Sequence, residues 1–312
     1  MKIGIIGTFI RDHIKLSTGK EIDSFGGIFY TVSILGNLIS PGDEIYPVCF
    51  LGADIYDAIV ARLAELPGVR CDGIQKIDQP NTAVTLIYQT IEQRQEYLSH
   101  RLPALELDHL RSVGAMDAWL VNFITGFEMS LTTFQRFRDQ VSGLVLMDYH
   151  SLSLDIQPDG LRVPRYRADW TEWVRGVDIL QMNETEAATI LKRHAPSERQ
   201  LRRLGSQLLE LGIKICHITR GSAGSLLFIR KDGQRRSFRI PAMALSTVVD
   251  VTGCGDAFAA GFLVHYLHHD DALEATRYAH RVAGINCTFS GTEPLSQLKT
   301  WIDFDHHFRS TL

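Results

Sequence analysis

The second half of the chain alternates short apolar runs with amphipathic runs, and this alternation constrains the fold more than any other feature. Runs typical of β-strands are separated by runs with helical periodicity from residue 117 onward. This alternation predicts an α/β fold with a mostly parallel sheet covered by helices on both faces. The predicted strands cover residues 118–121, 144–147, 179–182 and 215–218, and the predicted helices cover 131–141 and 198–211.

Polar residues follow several of these strands, where each strand ends. Because ligands of parallel sheets bind at the carboxyl ends of the strands, we expect these residues to meet at one edge. They are residues 7–12, residues 122–128, Asp148, Asn183 and Thr219.

A glycine-rich turn lies between a β-branched run and an apolar helical pattern near the C-terminus. Residues 247–249 read as a strand, and Phe258, Phe262 and Tyr266 fall near one helical face. The turn, residues 253–255, would leave backbone N–H groups uncovered at a helix start, which is a site for an anion. Asp256 then has two interpretations. It favours the positive end of the helix dipole, or it acts as a base beside a bound phosphate.

The N-terminal third contains a first strand and two predicted hairpins. Residues 3–6 form the strand, a turn at 18–20 closes one hairpin, and the β-rich run at 82–88 pairs with residues near 97 around a tip at 93–95. These hairpins, residues 10–24 and 82–99, could form a small sheet beside the main domain, or simply be two surface hairpins. Further elements are predicted as a strand at 45–51, a helix at 56–66 and an irregular loop with a short helix at 151–173, to which we assign no role.

Composition excludes several classes of protein. The net charge of −4 gives no sign of nucleic-acid binding, and no apolar run is long enough to span a membrane. The basic run 230–236 surrounds an Asp-Gly pair and predicts a solvated hairpin tip.

Five scattered cysteines without a CxxC pair predict neither a zinc site nor a disulfide framework. The first residues are too short for a signal sequence, so a cytoplasmic protein is expected. P-loop and dinucleotide-binding motifs are absent from the sequence.

The glycine-rich turn carries a resemblance to a known family. The run DVTGCGDAFAAGF, residues 250–262, resembles the signature DTxGAGDxFxxGF of the ribokinase family, the PfkB carbohydrate kinases. The resemblance implies a ribokinase-like three-layer fold over residues 1–312, with the small sheet as a lid over the acceptor. It implies that Asp256 is the catalytic base and that Gly253, Cys254 and Gly255 form the anion hole. Cys254 stands where the family usually has alanine.

Three further stretches, at 183–187, 219–224 and 278–286, resemble the part of the family that binds the phosphoryl donor. The run NETEA at 183–187 implies that Asn183 and Glu186 organise Mg²⁺ and phosphate, with Glu186 acting through water, although the run is also a plain helix start. The run at 219–224 matches T-x-G-x-x-G, and a hairpin turn explains its glycines equally well. The implied ATP-binding residues are Asn183, Glu186, Thr219, Gly221, Gly224, Ala283 and Gly284, the last two flanking adenine. His280 is expected at the surface, and Asn286 is given no role.

The acceptor side matches the family less closely. Asp12 and the pair Gly26 and Gly27 match positions that contact the sugar, while Thr31 stands where the family usually has asparagine. Glu128 is a further candidate acceptor-binding residue. The positions of Asp250 and Thr252 match a loop that binds K⁺ in some members, which implies a monovalent-cation effect.

The sequence therefore predicts an ATP-dependent kinase for a hydroxyl of a sugar or sugar-like acceptor. A nucleoside is the alternative acceptor, since Phe25, Phe29 and Phe123 could stack on a base. A sensor that binds nucleotide or sugar without catalysis is the alternative of another class, although a binder needs no base. The exposed edges of the small sheet could pair with a second copy of the chain to form a homodimer.

Overall fold

The computed structural model describes residues 1–16, 18–89 and 94–302. Its strands are β1 Lys2–Ile6, β2 Phe9–Lys15, β3 Glu21–Gly27, β4 Glu44–Gly52, β5 Ile74–Ile77, β6 Ala83–Tyr88, β7 Arg94–Ser99, β8 Ala118–Asn122, β9 Leu144–Asp148, β10 Leu154–Ile156, β11 Arg162–Pro164, β12 Ile179–Asn183, β13 Ile215–Thr219, β14 Ser225–Lys231 and β15 Gln234–Ile240. Its helices are α1 Ile28–Leu38, α2 Tyr56–Ala64, α3 Leu107–Arg111, α4 Leu131–Gln140, α5 Trp170–Val174, α6 Glu184–Leu191, α7 Glu198–Glu210, α8 Cys254–His269 and α9 Ala272–Asn286.

A large sheet runs through the middle of the molecule. Within the described residues it has nine strands in the order β15-β14-β13-β12-β9-β8-β1-β4-β5. Neighbours from β13 to β5 pair in parallel, whereas β14 and β15 are antiparallel. The carboxyl ends of β1, β8, β9, β12 and β13 therefore meet at one edge, as the sequence predicted.

Apolar side chains cover both faces of this sheet. One buried cluster joins the sheet to α1, α2, α8 and α9, with Phe258 and Phe262 among its members. The second cluster joins the opposite face to α4 and α7 through residues such as Phe134 and Leu208. Because strand residues alternate between faces, the strands from β14 to β4 each contribute to both clusters. The result is the predicted three-layer arrangement. Among the helices in the described ranges, none combines the length and hydropathy that crossing a bilayer requires.

A separate small sheet stands beside the large one. Its order is β3-β2-β6-β7, where β2 and β3 form one hairpin and β6 and β7 the other. The two hairpins join through parallel pairing of β2 with β6, which confirms the predicted small sheet. Part of the predicted tip at 93–95 and part of the expected domain, residues 303–312, lie outside the described residues.

Two sequence predictions about local structure were wrong or incomplete. The run Thr247–Val249 is not a strand, because the backbone N–H groups of Val249 and Asp250 bind the carbonyl of Cys287 instead of a strand. Val248 and Val249 are more than half exposed, so β-branched residues alone did not make a strand here. The segment 151–173 does contain a short helix, α5, and also the hairpin β10–β11, which the sequence did not predict.

Candidate active site

The predicted anion hole lies at the start of α8. Gly253 caps the helix with a left-handed backbone, φ 73°, and a Cβ there would lie 2.5 Å from the ring of Tyr30. Both facts require glycine at this position. Cys254 and Gly255 follow in the first turn, and a Cβ at Gly255 would meet only the Gln181 amide at 3.9 Å. Gln181 also donates to the Gly255 carbonyl and so ties the helix start to β12.

Asp256 lies in the same turn and is held by two donors from distant parts of the chain. Its Oδ1 accepts hydrogen bonds from Thr31 Oγ1 at 2.6 Å and from Asn122 Nδ2 at 2.7 Å. Burial raises the pKa of Asp256, and these two bonds partly offset the rise. A carboxylate whose pKa is raised above its ordinary value is a better base near neutral pH.

The two partners of Asp256 differ from what the sequence indicated. Thr31 was predicted to bind the acceptor, but it is fully buried and its hydroxyl points at Asp256. Asn122 was not singled out as a site residue. It ends β8 and is buried, and its Oδ1 has no hydrogen-bond partner among the described residues. The signal that could have found it was its polar side chain at the carboxyl end of a buried strand.

The predicted acceptor residues Asp12, Gly26 and Gly27 come together where β2 pairs with β3. Asp12 is 8% exposed, and a Cβ on Gly26 would overlap its carboxylate. Gly27 has φ 62°, and a Cβ there would overlap the Thr8 carbonyl. Gly26 therefore lets the backbone lie directly against Asp12, and Gly27 lets it lie against the Thr8 carbonyl at the amino end of α1.

Glu128 lies in a turn after β8, where it serves as a hydrogen-bond hub. Its carboxylate accepts from the hydroxyls of Thr8 and Thr125 and from the backbone N–H groups of Thr125 and Gly126. It is 4% exposed. These four bonds give the Glu128 side chain a structural role, because they join the loop after β1 to the turn after β8.

We expect Glu128→Gln to lower the free energy of unfolding by about 2 kcal/mol. The amide would present N–H groups where the carboxylate now accepts from Gly126 N, so one donor is left unpaired. Chemical denaturation measures the change. Glu65→Gln, at an exposed position, is the control and should change the value by less than about 0.5 kcal/mol. Equal stabilities of the two variants would contradict this role of Glu128.

The donor-side candidates Asn183 and Glu186 form a capping box at the start of α6. Asn183 Oδ1 accepts from Glu186 N at 2.9 Å, and Glu186 Oε2 accepts from Asn183 N at 2.8 Å. Both residues therefore cap the start of α6, which is the alternative role that the sequence indicated for them. Glu186 Oε1 also lies 3.7 Å from His150 Nδ1, and Asp148 lies nearby at the end of β9.

Charge is concentrated around this capping box. Burial and then the neighbouring Glu186 raise the pKa of Asp148 to about 8. Partial burial opposes a charge on His150, but the Glu186 and Asp148 carboxylates outweigh it and raise the pKa of His150 to about 9. The sequence predicted Asp148 at this edge of the sheet without a role, and nothing in it singled out His150.

We expect the protein to lose stability as pH rises from 6 to 9. Asp148 in the folded chain keeps a proton that the unfolded chain releases above about pH 4, so its contribution disappears as pH passes about 8. His150 acts in the same direction between about pH 6.5 and 9. Asp148→Asn should reduce the loss by about 1 to 3 kcal/mol, measured by denaturation at each pH. Asp57→Asn, at a highly exposed position, is the control. Equal pH slopes for wild type and Asp148→Asn would contradict the assignment.

The oxygen-bearing side chains around Glu186 fit a magnesium ion that is bound through water molecules. No group of three or more His, Cys, Asp and Glu side chains in the described residues is arranged to bind a metal directly. Asp148, Asn183 and Glu186 nevertheless supply oxygen ligands, which Mg²⁺ prefers, and it usually keeps several waters. Burial and the neighbouring Glu186 carboxylate raise the pKa of Asp148, and a cation bound beside them would oppose that rise.

The remaining donor-side candidates have structural partners. Gly221 and Gly224 have positive φ in the hairpin turn between β13 and β14, which starts at Thr219. Ala283 and Gly284 lie in α9, where Met243 packs so closely on Gly284 that a Cβ would lie 2.8 Å from its sulfur.

The expected surface position of His280 was wrong. It is 8% exposed, its Nε2 lies 2.8 Å from Ser225 Oγ, and its ring packs edge-on against Phe258. Burial lowers the pKa of His280 to about 4. Asn286, which was given no role, is buried and donates to the Thr252 carbonyl at 2.9 Å.

The candidate K⁺ loop is folded on itself. Asp250 Oδ1 accepts from Thr252 N at 2.9 Å, and Oδ2 accepts from Ser290 Oγ at 2.9 Å. The Thr252 carbonyl already accepts from Asn286. A cation here would share these oxygens with existing donors.

Comparisons with known proteins agree with this architecture. The family described as pfkB family carbohydrate kinase matches residues 154–299. A ribokinase of Arabidopsis thaliana is 32% identical over 123 residues, which are 39% of this chain and 32% of that one. A D-beta-D-heptose 7-phosphate kinase of Bordetella bronchiseptica is 23% identical over 268 residues, 85% of this chain and 79% of that one. The similarity to the ribokinase thus spans about a third of that protein's length.

Solved structures extend the agreement to nearly the whole chain. A pyrophosphate-dependent kinase in the ribokinase family, solved as a sulfate complex, superposes with a TM-score of 0.75 at 18% identity, covering 96% of this chain and 99% of that one. This likeness confirms the ribokinase-like fold. The sequence of residues 154–299 thus resembles the pfkB family of carbohydrate kinases, and the shared fold extends over nearly the whole chain.

Proposed function

We propose that the protein is a kinase that transfers the γ-phosphoryl group of ATP to a hydroxyl of a sugar or sugar-like acceptor. The observation that carries this proposal is the arrangement at the start of α8. There, Asp256 stands one residue beyond a turn that only glycine can make at position 253, and two donors fix its carboxylate. A sensor without catalysis would have no use for a positioned base.

Asp256 accepts the proton of the acceptor hydroxyl in this proposal. Thr31 and Asn122 both donate to Oδ1, so we assign proton transfer to Oδ2. The N–H groups of residues 253–255 hold the phosphoryl group as negative charge builds on it, which is the main task in phosphoryl transfer. Mg²⁺, when bound, would neutralise the donor phosphates; Glu186 and Asn183 would hold it through water.

The acceptor is placed against Asp12, and a sugar-like alcohol suits this position better than a nucleoside. Of the three aromatics that could stack on a base, Phe123 is fully buried and packs against Phe134 and Trp173. Phe29 is 4% exposed, and Phe25 packs against it. Carboxylate and amide oxygens, in contrast, are suited to several hydroxyls.

The small sheet is proposed as the lid over this acceptor, excluding water that would otherwise take the phosphoryl group. Its strand β7 meets Leu161 through a bridge at Tyr97, so one edge is covered. We propose that the opposite edge, β3, is where a second copy would pair.

Pyrophosphate is a second candidate donor, favoured by the contact between Met243 and Gly284. That contact occupies the surface on which adenine was expected to pack. A donor without a base would leave it undisturbed, whereas ATP would require Met243 to move. Asp250 and Thr252 remain proposed K⁺ ligands, so K⁺ belongs in the assay.

The test is an assay of phosphorylated product over a panel of pentoses, hexoses, sugar phosphates, polyols and nucleosides. Each acceptor is run with Mg-ATP or with Mg-pyrophosphate, with and without K⁺. Transfer from ATP to a sugar-like alcohol supports the proposal. Transfer to nucleosides alone would show that the acceptor is a nucleoside and not a sugar-like alcohol. Transfer from pyrophosphate alone would show that the phosphoryl donor is pyrophosphate and not ATP. Tight nucleotide binding without transfer to any acceptor would favour the sensor.

We expect Thr31→Val to move the acid limb of the kcat–pH profile to higher pH. Thr31 stabilises the ionised form of Asp256, and removing its hydroxyl raises the pKa of Asp256 further. At neutral pH kcat should fall roughly tenfold. Thr31→Ser keeps the hydroxyl and is the matched control. Identical profiles for the two variants would show that Thr31 does not act on the base.

A further inference from the structure

Two cysteines meet at the anion hole. Cys254 is the first residue of α8, and Cys287 caps the end of α9. Their Sγ atoms lie 2.6 Å apart although the residues are separated by 33 positions. The sulfurs of a disulfide lie about 2.05 Å apart, so bond formation requires them to approach by only about half an ångström.

The pair is partly accessible, and its contacts with neighbouring polar groups are long. Asn286 Nδ2 donates to Cys254 Sγ at 3.5 Å, and the Ala283 carbonyl lies 3.7 Å from the same sulfur. Both cysteines are half-buried, whereas Cys49 and Cys216 are buried in the apolar core. A small oxidant can therefore reach this pair more readily than the core thiols.

We propose that Cys254 and Cys287 are a site of reversible oxidation, where a small-molecule disulfide such as oxidised glutathione converts the two thiols into an intramolecular disulfide that slows turnover. Sequence spacing gave no sign of the pair, because the contact depends on α8 and α9 packing side by side. Neither the proposed anion-hole role of the Cys254 backbone nor the similarity to pfkB kinases assigns a role to the two thiols.

The chemistry balances in two exchange steps. The thiolate of one cysteine attacks a sulfur of glutathione disulfide, forms a mixed disulfide and releases one glutathione thiolate. The second cysteine loses its proton and attacks the protein sulfur of the mixed disulfide, forming the Cys254–Cys287 bond and releasing the second glutathione. The protein loses two electrons, and glutathione disulfide gains them. Excess dithiothreitol reverses both steps.

The consequence for turnover rests on the proposed kinase function, whereas the bond itself does not. Cys254 supplies a backbone N–H to the anion hole, and the new bond would pull its Cα toward the end of α9. Phosphoryl transfer depends on donors placed within a fraction of an ångström. We expect oxidation to reduce kcat by roughly tenfold or more.

The experiment uses the full chain, reduced with dithiothreitol, freed of it, and then treated with oxidised glutathione. After free thiols are blocked, non-reducing peptide mass spectrometry identifies any peptide that joins residues 254 and 287. The expected results are a joined peptide, a higher midpoint of thermal unfolding and a lower kcat, all three reversed by dithiothreitol. Absence of the joined peptide in wild type would overturn the site. A joined peptide with unchanged kcat would overturn the effect on turnover.

Two variants complete the design. Cys287→Ser removes the partner thiol but not the Cys287 carbonyl, which holds the preceding loop, so its reduced form should keep the basal rate. After oxidation it should show no rise in unfolding midpoint; a rise equal to that of wild type would overturn the assignment. Cys71→Ser removes a half-buried thiol elsewhere and should behave as wild type. Because the joined peptide and the unfolding midpoint need no acceptor, failure of the kinase proposal would leave the test of the bond intact.

Discussion

We expect Asp256→Asn to lower kcat by about 10² to 10⁴ while leaving the affinity for the phosphoryl donor, ATP, nearly unchanged. The amide has the same shape, and its oxygen can still accept from Thr31 and Asn122, so the local geometry is retained. Only the capacity to take a proton is lost. Steady-state kinetics measures kcat, and calorimetry measures donor affinity.

Asp270→Asn, at the exposed far end of the same helix, is the matched control. It removes one negative charge from the molecule, and it should keep kcat within about twofold. If Asp256→Asn retained the wild-type kcat with its fold intact, the assignment of the base would be wrong.

Gly253→Ala is expected to reduce kcat by about 10² to 10³, comparable to the loss of one donor from an oxyanion hole. The added Cβ would lie 2.5 Å from the Tyr30 ring, and the left-handed backbone at φ 73° is strained for any residue with a Cβ. Relief of both requires the turn to move, which displaces the N–H groups of the anion hole. Kinetics and thermal unfolding measure the two consequences.

Gly255→Ala separates the effect of the clash from that of an added methyl group. A Cβ at Gly255 would meet only the Gln181 amide, at an ordinary contact distance, and its backbone is helical. We expect the unfolding midpoint of this variant to match wild type or exceed it, because alanine favours a helix over glycine. Equal midpoints for Gly253→Ala and Gly255→Ala would show that the turn at Gly253 is not strained.

Most secondary structure could be predicted because it depends on local patterns. The helix predicted at 131–141 spans Leu131–Gln140, and the strand predicted at 179–182 spans Ile179–Asn183. The run at 247–249 failed for a non-local reason. Its backbone N–H groups bind the end of α9 instead of a neighbouring strand. Three β-branched residues do not determine which part of the chain they will pair with.

The site could be predicted only in part, for the same reason. The position of Asp256 at a glycine-rich helix start could be predicted, because it depends only on adjacent residues. Its partners Thr31 and Asn122 lie 225 and 134 positions away. The sequence could place Asn122 at the edge of the sheet and Thr31 among the acceptor residues, but not both against one oxygen. Glu128 was predicted to meet the acceptor, and its four hydrogen bonds to neighbouring turns became apparent only in the folded chain.

The most direct test of the central claim, that Asp256 at the start of α8 catalyses phosphoryl transfer, follows the phosphate itself. ATP labelled with radioactive phosphorus at the γ-position is mixed with Mg²⁺, excess enzyme and the best acceptor of the panel, and labelled acceptor is counted over a single turnover. We predict that wild type moves the label to the acceptor and that Asp256→Asn, with ATP bound to the same extent, moves it about 10² to 10⁴ times more slowly. Equal rates for the two proteins, or label that reaches only inorganic phosphate in wild type, would contradict the claim.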